Sequence, residues 1–179
     1  GDWVGDGQMR TLELSAFDIG KGNLILVNRD YPIRSEPMTE LLVPVRDDMP
    51  HVRLERQAAK LLEKATSWGD CEQHIVPVSG YRSFEEQKRL YGNSLRDHGE
   101  EFTKKYVALP GCSEHQTGLA VDLGQNTANI DLICPDLPYT GIFGVFRESL
   151  LRYGFIERYP AGREHITGIA HEPWHFRYV

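Results

Sequence analysis

Two short stretches of this chain gather the residue types that bind and use a metal. The first is Ser113-Glu114-His115-Gln116-Thr117-Gly118-Leu119-Ala120-Val121-Asp122, and the second is Glu172-Pro173-Trp174-His175. His115, Asp122 and His175 offer two imidazoles and one carboxylate, and Glu172 adds a second carboxylate beside one of the imidazoles. Three protein ligands with one open position is the pattern of a catalytic zinc site, whereas structural sites are closed by four. A carboxylate that the metal does not need can act as general base on a water that the ion has acidified. The two stretches therefore predict a zinc hydrolase with one Zn2+ per chain.

The spacing makes demands on the fold. His115 and Asp122 are seven residues apart with Gly118 between them. If His115 ends a loop and Asp122 lies on a strand, both can face one cation, with Gly118 permitting a tight backbone approach. His175 must then come from a strand that pairs alongside, and Glu172 reaches the same point from across Pro173. His165 and His171 are competing ligands. His171 and His175 have a helical i, i+4 spacing, but Pro173 between them opposes a helix, so both competitors read as outer or surface residues. His51, His74 and His98 have no partner in the sequence. Cys71, Cys112 and Cys134 contain no C-x-x-C pair; they read as buried or partly buried thiols, with room for one disulfide in an oxidising compartment. Cys112 stands close to His115, but the site is complete without it.

The elements that would position these residues follow from periodicity and punctuation. Residues 24–28 (LILVN) read as a strand, and residues 29–50, with four prolines, as a long irregular connection. A helix is predicted over 50–68, with Asp48 as its cap, an apolar stripe from Val52 to Trp68 and Gly69 as its stop. Residues 75–80 read as a strand in which Pro77 marks an edge or a bulge. Ser83 and Glu86 form a capping box, which predicts a helix over 84–98, followed by a second helical stretch over 101–107. Residues 119–123 alternate as a strand would, and the polar loop 125–139 is placed to shape access to the site. A helix over 143–153 and strands over 155–157 and 174–178 complete the chain. The mixed order and short strands predict an α+β fold with a small, mainly antiparallel sheet and flanking helices.

Bulk properties narrow the function. The 179 residues suit one domain, with 40% hydrophobic and 26% charged residues. The net charge of −6 argues against nucleic acid as a partner. No apolar run is long enough to span a membrane, so membrane contact is expected only through a segment absent from this chain. The opening Gly1 to Gly7 lacks the basic and apolar regions of a signal peptide. Residues 1–23 read as an N-terminal arm and 24–179 as the catalytic domain.

The two strings, with Ser79-Gly80-Tyr81-Arg82-Ser83 upstream, resemble the VanY-type zinc D-alanyl-D-alanine carboxypeptidases and their L,D-carboxypeptidase relatives. The resemblance covers about residues 24–179, including Leu26-Val27-Asn28-Arg29-Asp30-Tyr31 and the closing Trp174-His175-Phe176-Arg177-Tyr178-Val179. It implies that His115, Asp122 and His175 bind zinc and that Glu172 is the catalytic base. It further implies that Arg82 stabilises the oxyanion and that Ser113, Gln87, Tyr159 and Trp174 line the substrate pocket. From chemistry alone Arg82 suits either an oxyanion or the carboxylate of a terminal D-alanine, and Trp174 and Tyr159 suit either core or pocket. The implied substrate is a peptidoglycan stem peptide or precursor ending in D-Ala, which places the enzyme outside the cytoplasm, anchored to membrane or wall, in routine wall trimming or vancomycin resistance. An L,D-carboxypeptidase or a D-Ala-D-Ala dipeptidase would share this chemistry. A zinc-dependent binding domain of the hedgehog type would share the scaffold and the zinc site on the sheet, but pure binding needs neither Glu172 nor Arg82.

Overall fold

The computed structural model describes residues 18–179 together with Thr11, Glu13, Ser15 and Ala16. Most of the arm expected at the N-terminus therefore lies outside the described residues. In chain order the elements are β1 (Leu42–Pro44), β2 (Arg53–Glu55), α1 (Arg56–Trp68), β3 (Ile75–Ser79), α2 (Phe84–Tyr106), β4 (Ala120–Gln125), α3 (Ile142–Arg152), β5 (Phe155–Glu157), α4 (Glu164–Thr167) and β6 (His175–Tyr178). Strands β1 and β2 form a hairpin, and the other four make an antiparallel sheet in the order β3-β4-β6-β5. The α+β class, the small antiparallel sheet and the flanking helices are those read from the sequence.

One face of the sheet is apolar. Val121 and Leu123 of β4 and Phe176 and Tyr178 of β6 pack with Leu62 and Ala65 of α1 and Phe146 and Leu150 of α3 in one buried cluster. The small residues on α1 let α3 approach closely enough for Ser149 Oγ to donate to the Ala65 carbonyl at 2.7 Å. Helix α2 starts at the expected capping box and turns at Gly99 (φ 83°), where two helical stretches were anticipated. β3 is both an edge strand and bulged, with its register shifting between Pro77 and Ser79.

Three expectations need correction. The helix predicted from residue 50 begins at Arg56 and is capped by Glu55, whose carboxylate accepts from the Gln57 and Ala58 amides. Asp48 is engaged by Arg46 instead. The cause is a change of period: Val52 and Leu54 alternate with Arg53 and Glu55 on the returning arm of a hairpin, where Leu54 pairs with Val43, the Val52 carbonyl accepts from the Val45 amide, and both side chains are buried. For the same reason the connection over 29–50 is not wholly irregular, since it contains β1 and the 3-10 turn Thr39–Leu41. Residues 24–28 form no strand. The carbonyls of Asn23 and Ile25 accept from the Arg177 guanidinium, both at 2.7 Å, and Val27 is buried without ladder partners.

Candidate active site

Strand alternation and register assemble half of the site. Because Val121 and Leu123 enter the core, Asp122 points to the opposite face of β4, and His175 and Arg177 do the same on β6. Asp122 and His175 are direct register partners, so a large sequence separation becomes one cross-strand pair. His175 Nδ1 lies 2.9 Å from Asp122 Oδ1.

His115 arrives on the 3-10 turn Glu114–Thr117, which Ser113 caps with its Oγ and Gly118 closes at φ 74°. A Cβ on Gly118 would stand 2.8 Å from Leu42 Cδ2, and its carbonyl accepts from the Glu55 amide at 2.8 Å, so the close approach expected at this glycine is present. His115 Nδ1 is 2.7 Å from the Gly80 carbonyl oxygen. A carbonyl can only accept, so Nδ1 carries the hydrogen and Nε2 turns its lone pair toward Asp122 Oδ2, 3.2 Å away. Gly80 cannot carry a side chain, because a Cβ would sit 2.3 Å from the Arg53 carbonyl oxygen. Gly80→Ala is expected to cost about 1–3 kcal/mol of stability by overpacking against backbone, readable as a lower midpoint in urea unfolding.

One donor atom from each of His115, Asp122 and His175 lies within 4.8 Å of the others, and all three residues are buried. Each imidazole commits its outer nitrogen to an acceptor, His115 to Gly80 and His175 to Glu114. The inner atoms are therefore three electron-pair donors facing one another. Buried acceptors in this arrangement require a cation among them, and two nitrogens with one carboxylate oxygen is a zinc-type set. Burial opposes charge on His175, yet hydrogen bonds from its ring to Asp122 and Glu114 raise it to about 10. Asp122, despite burial, is held well below the usual carboxylate range by His115 and His175. His115 is lowered, first by burial and then by Arg82.

Glu172 stands beside this group with Oε2 3.9 Å from His175 Nδ1. Burial pushes its carboxyl up to about 8, against the pull of His175. Its amide donates to the Tyr159 carbonyl at 3.0 Å. The next residue, Pro173, is fastened through its carbonyl to Arg147 of α3 at 2.8 Å, and the same guanidinium donates to the Leu137 and Pro138 carbonyls of the 125–139 loop. That loop places Leu132 and Ile133 in the wall of the pocket, so it does shape access.

Every residue singled out from the sequence lines this one pocket: His115, Asp122, His175, Glu172, Arg82, Ser113, Gln87, Tyr159 and Trp174. Arg82 is fixed by its amide, which donates to the His115 carbonyl at 3.1 Å, and its guanidinium lies 4.0 Å from Asp122 Oδ2. Gln87 donates through Nε2 to the Ala108 carbonyl at 2.8 Å. Among the described residues, Arg82 Nε and Gln87 Oε1 are the buried side-chain polar atoms without a hydrogen-bond partner, one a donor and one an acceptor. Trp174 serves both core and wall, and the Tyr159 ring packs 4.7 Å from the His175 ring. His165 is exposed, His171 contacts Tyr139 and Glu157, and all three cysteines are free thiols outside the metal-type group.

The sequence reading missed Glu114, Arg158 and Arg177. Glu114 is fully buried, and its carboxylate takes Arg158 Nε at 2.8 Å and Arg177 NH1 at 3.0 Å on Oε1, and His175 Nε2 at 3.1 Å on Oε2. Burial would raise this carboxyl, but His175 and the two guanidiniums hold it at about 2. The available signal was Arg177 on the non-core side of an alternating, buried strand, which demands a buried anion opposite.

A small antiparallel sheet and the turn beside it, which together present two imidazoles and a carboxylate around one point with a further acid beside them, have the arrangement of a single-metal hydrolase. Residues 51–179 match the VanY family model, described as D-alanyl-D-alanine carboxypeptidase, and the chain belongs to that family. The bifunctional D-Ala-D-Ala dipeptidase and D-Ala-D-Ala carboxypeptidase VanXYC of Enterococcus gallinarum is 43% identical over 159 residues, covering 87% of this chain and 83% of that protein. Three further relatives at 31–35% identity are longer, and the chain spans 52–59% of their lengths. Among solved structures, the vancomycin-resistance D,D-dipeptidase VanXYg in complex with a D-Ala-D-Ala phosphinate analogue superposes with a TM-score of 0.87 at 52% identity, over 97% of this chain and 68% of that one. A mutant of the D,D-pentapeptidase VanY from a VanB-type cassette, in complex with Zn(II), superposes with a TM-score of 0.67 at 29% identity over 88% of each chain.

Proposed function

We propose that this chain is a zinc-dependent D,D-carboxypeptidase that removes the terminal D-alanine from peptidoglycan stem peptides or their precursors. The observation that carries the proposal is the convergence of three zinc-type donors within 4.8 Å, beside a buried free carboxyl, in a chain of the VanY family. Residues 24–179 are the catalytic domain in this reading and residues 1–23 an arm ahead of it. His115 through Nε2, Asp122 through its carboxylate and His175 through Nδ1 would hold the ion. A zinc ion held there supplies Lewis acidity and lowers the pKa of water to about 7.

The chain's own groups do the rest. Glu172 takes a proton from the attacking water and returns it to the departing D-alanine amine. Its buried position keeps competing water away from that transfer. Arg82 offers a fixed guanidinium to the carbonyl oxygen as negative charge develops there, or to the substrate's terminal carboxylate. Arg82 Nε and Gln87 Oε1 form an unpaired donor and acceptor, the complement of a peptide group, whose polar atoms would satisfy both. Ser113, Tyr159 and Trp174 complete the walls.

A second activity is favoured by the relatives themselves: one is bifunctional and another is a D,D-dipeptidase, which supports cleavage of free D-Ala-D-Ala at the same centre. A stem-peptide substrate in the cell wall would place the chain outside the cytoplasm. Among the described residues no helix is long and apolar enough to cross a membrane. The test is to incubate the zinc-loaded chain with a stem pentapeptide ending in D-Ala-D-Ala, a tetrapeptide ending in one D-Ala, and free D-Ala-D-Ala, and to measure released D-alanine by mass spectrometry. Release of one D-alanine from the pentapeptide is expected. Release from the tetrapeptide alone would make the chain an L,D-carboxypeptidase, and no release from any substrate would favour a binding domain.

A further inference from the structure

The two sides of the Glu114 carboxylate face different partners. Oε1 is filled by two guanidiniums, Arg158 Nε at 2.8 Å and Arg177 NH1 at 3.0 Å, so this carboxylate is ionised and accepts only. Oε2 is left facing His175 Nε2 at 3.1 Å. An acceptor at that place requires a hydrogen on Nε2, so Nδ1, the atom 2.9 Å from Asp122, is the nitrogen that would offer its lone pair to a cation in the metal-type group. Arg177 is itself held on three backbone carbonyls, those of Tyr178, Asn23 and Ile25. The chain of contacts runs from residues 23–25, through Arg177 and Glu114, to one imidazole of the site.

We infer that Glu114, clamped by Arg158 and Arg177, is a positioning residue that sets the ring orientation and tautomer of His175, so that Nδ1 and not Nε2 faces the metal. This rests on the zinc reading proposed above. An outer carboxylate that orients a ligating imidazole typically contributes ten- to a hundredfold in metal affinity. The arrangement makes the isosteric variant Glu114→Gln unusually informative. The two guanidiniums can be satisfied only by the amide oxygen, which turns the NH2 group toward His175 Nε2. A donor there calls for a lone pair on Nε2 and moves the hydrogen to Nδ1, the side that must be bare. The variant therefore keeps the volume of the site and reverses its hydrogen-bond sense.

Two readouts decide the matter. Long-range 1H–15N correlation spectra of the zinc-loaded wild-type chain are expected to show His175 protonated on Nε2 and metal-bound through Nδ1. A spectrum with Nδ1 protonated overturns the inference whether or not any variant folds. In chelator competition, Glu114→Gln is expected to bind zinc ten- to a hundredfold more weakly while its metal-free form still unfolds cooperatively. A folded variant with zinc affinity within twofold of wild type overturns the positioning role and leaves the zinc reading standing. A wild-type chain that binds no zinc overturns both.

Discussion

Glu172→Gln should leave zinc in place and remove turnover, with kcat falling by about 10²- to 10⁴-fold, the usual contribution of a general base. At 1.36 kcal/mol per decade this corresponds to about 3–5 kcal/mol of transition-state stabilisation. The amide matches the carboxylate in size, so the buried position at 5% exposure stays filled. It cannot accept the proton that Glu172 takes in the proposed mechanism. The anchoring of its backbone to Tyr159 and of Pro173 to Arg147 does not involve the side chain, so the site should hold its shape. Steady-state kinetics beside metal analysis on the same sample make the check. Unchanged turnover with full zinc would remove Glu172 from the mechanism.

His175→Ala is expected to have the other large effect, loss of the metal itself. The substitution deletes one of three donors and also strands its two neighbours. Asp122 loses a partner at 2.9 Å and Glu114 one at 3.1 Å, both buried. The fall in zinc affinity should exceed the ten- to hundredfold that removing an outer partner costs. Leaving buried acceptors unpaired adds a stability cost of about 1–3 kcal/mol per group. Zinc per chain, measured after gel filtration without added metal, should drop to near zero. A full equivalent would refute the ligand assignment.

The metal-type residues were legible because their chemistry is dense in sequence. His115 and Asp122 sit in one string, and Glu172 and His175 in another, so two short windows contain the whole constellation. What brings the windows together was legible only as a demand for a paired strand, and the register pairing of Asp122 with His175 meets it. The capping box at Ser83, the turn at Gly99 and the bulge at Pro77 were likewise written in local residue chemistry. Misreadings fell where tertiary partners override local pattern. Val52 and Leu54 extend a helical stripe on paper, but the β1–β2 hairpin claims them, Leu54 through its pairing with Val43 and Val52 through its bond to Val45. The apolar run at 24–28 looks like a strand, but its Ile25 carbonyl answers a guanidinium from the far end of the chain. Glu114 stayed hidden because its value depends on Arg158 and Arg177, each distant from it in sequence.

The proposed function requires the three donors, Glu172 and the unpaired polar atoms of Arg82 and Gln87 to act together on a D-alanyl peptide bond, and only with the cation present. Titration of zinc into the metal-free chain, with D-alanine release from an acyl peptide ending in D-Ala-D-Ala followed throughout, tests this most directly. The rate should rise in proportion to added zinc and level off at one equivalent per chain. Release that persists in excess chelator, or no release at one full equivalent of bound zinc, would contradict it.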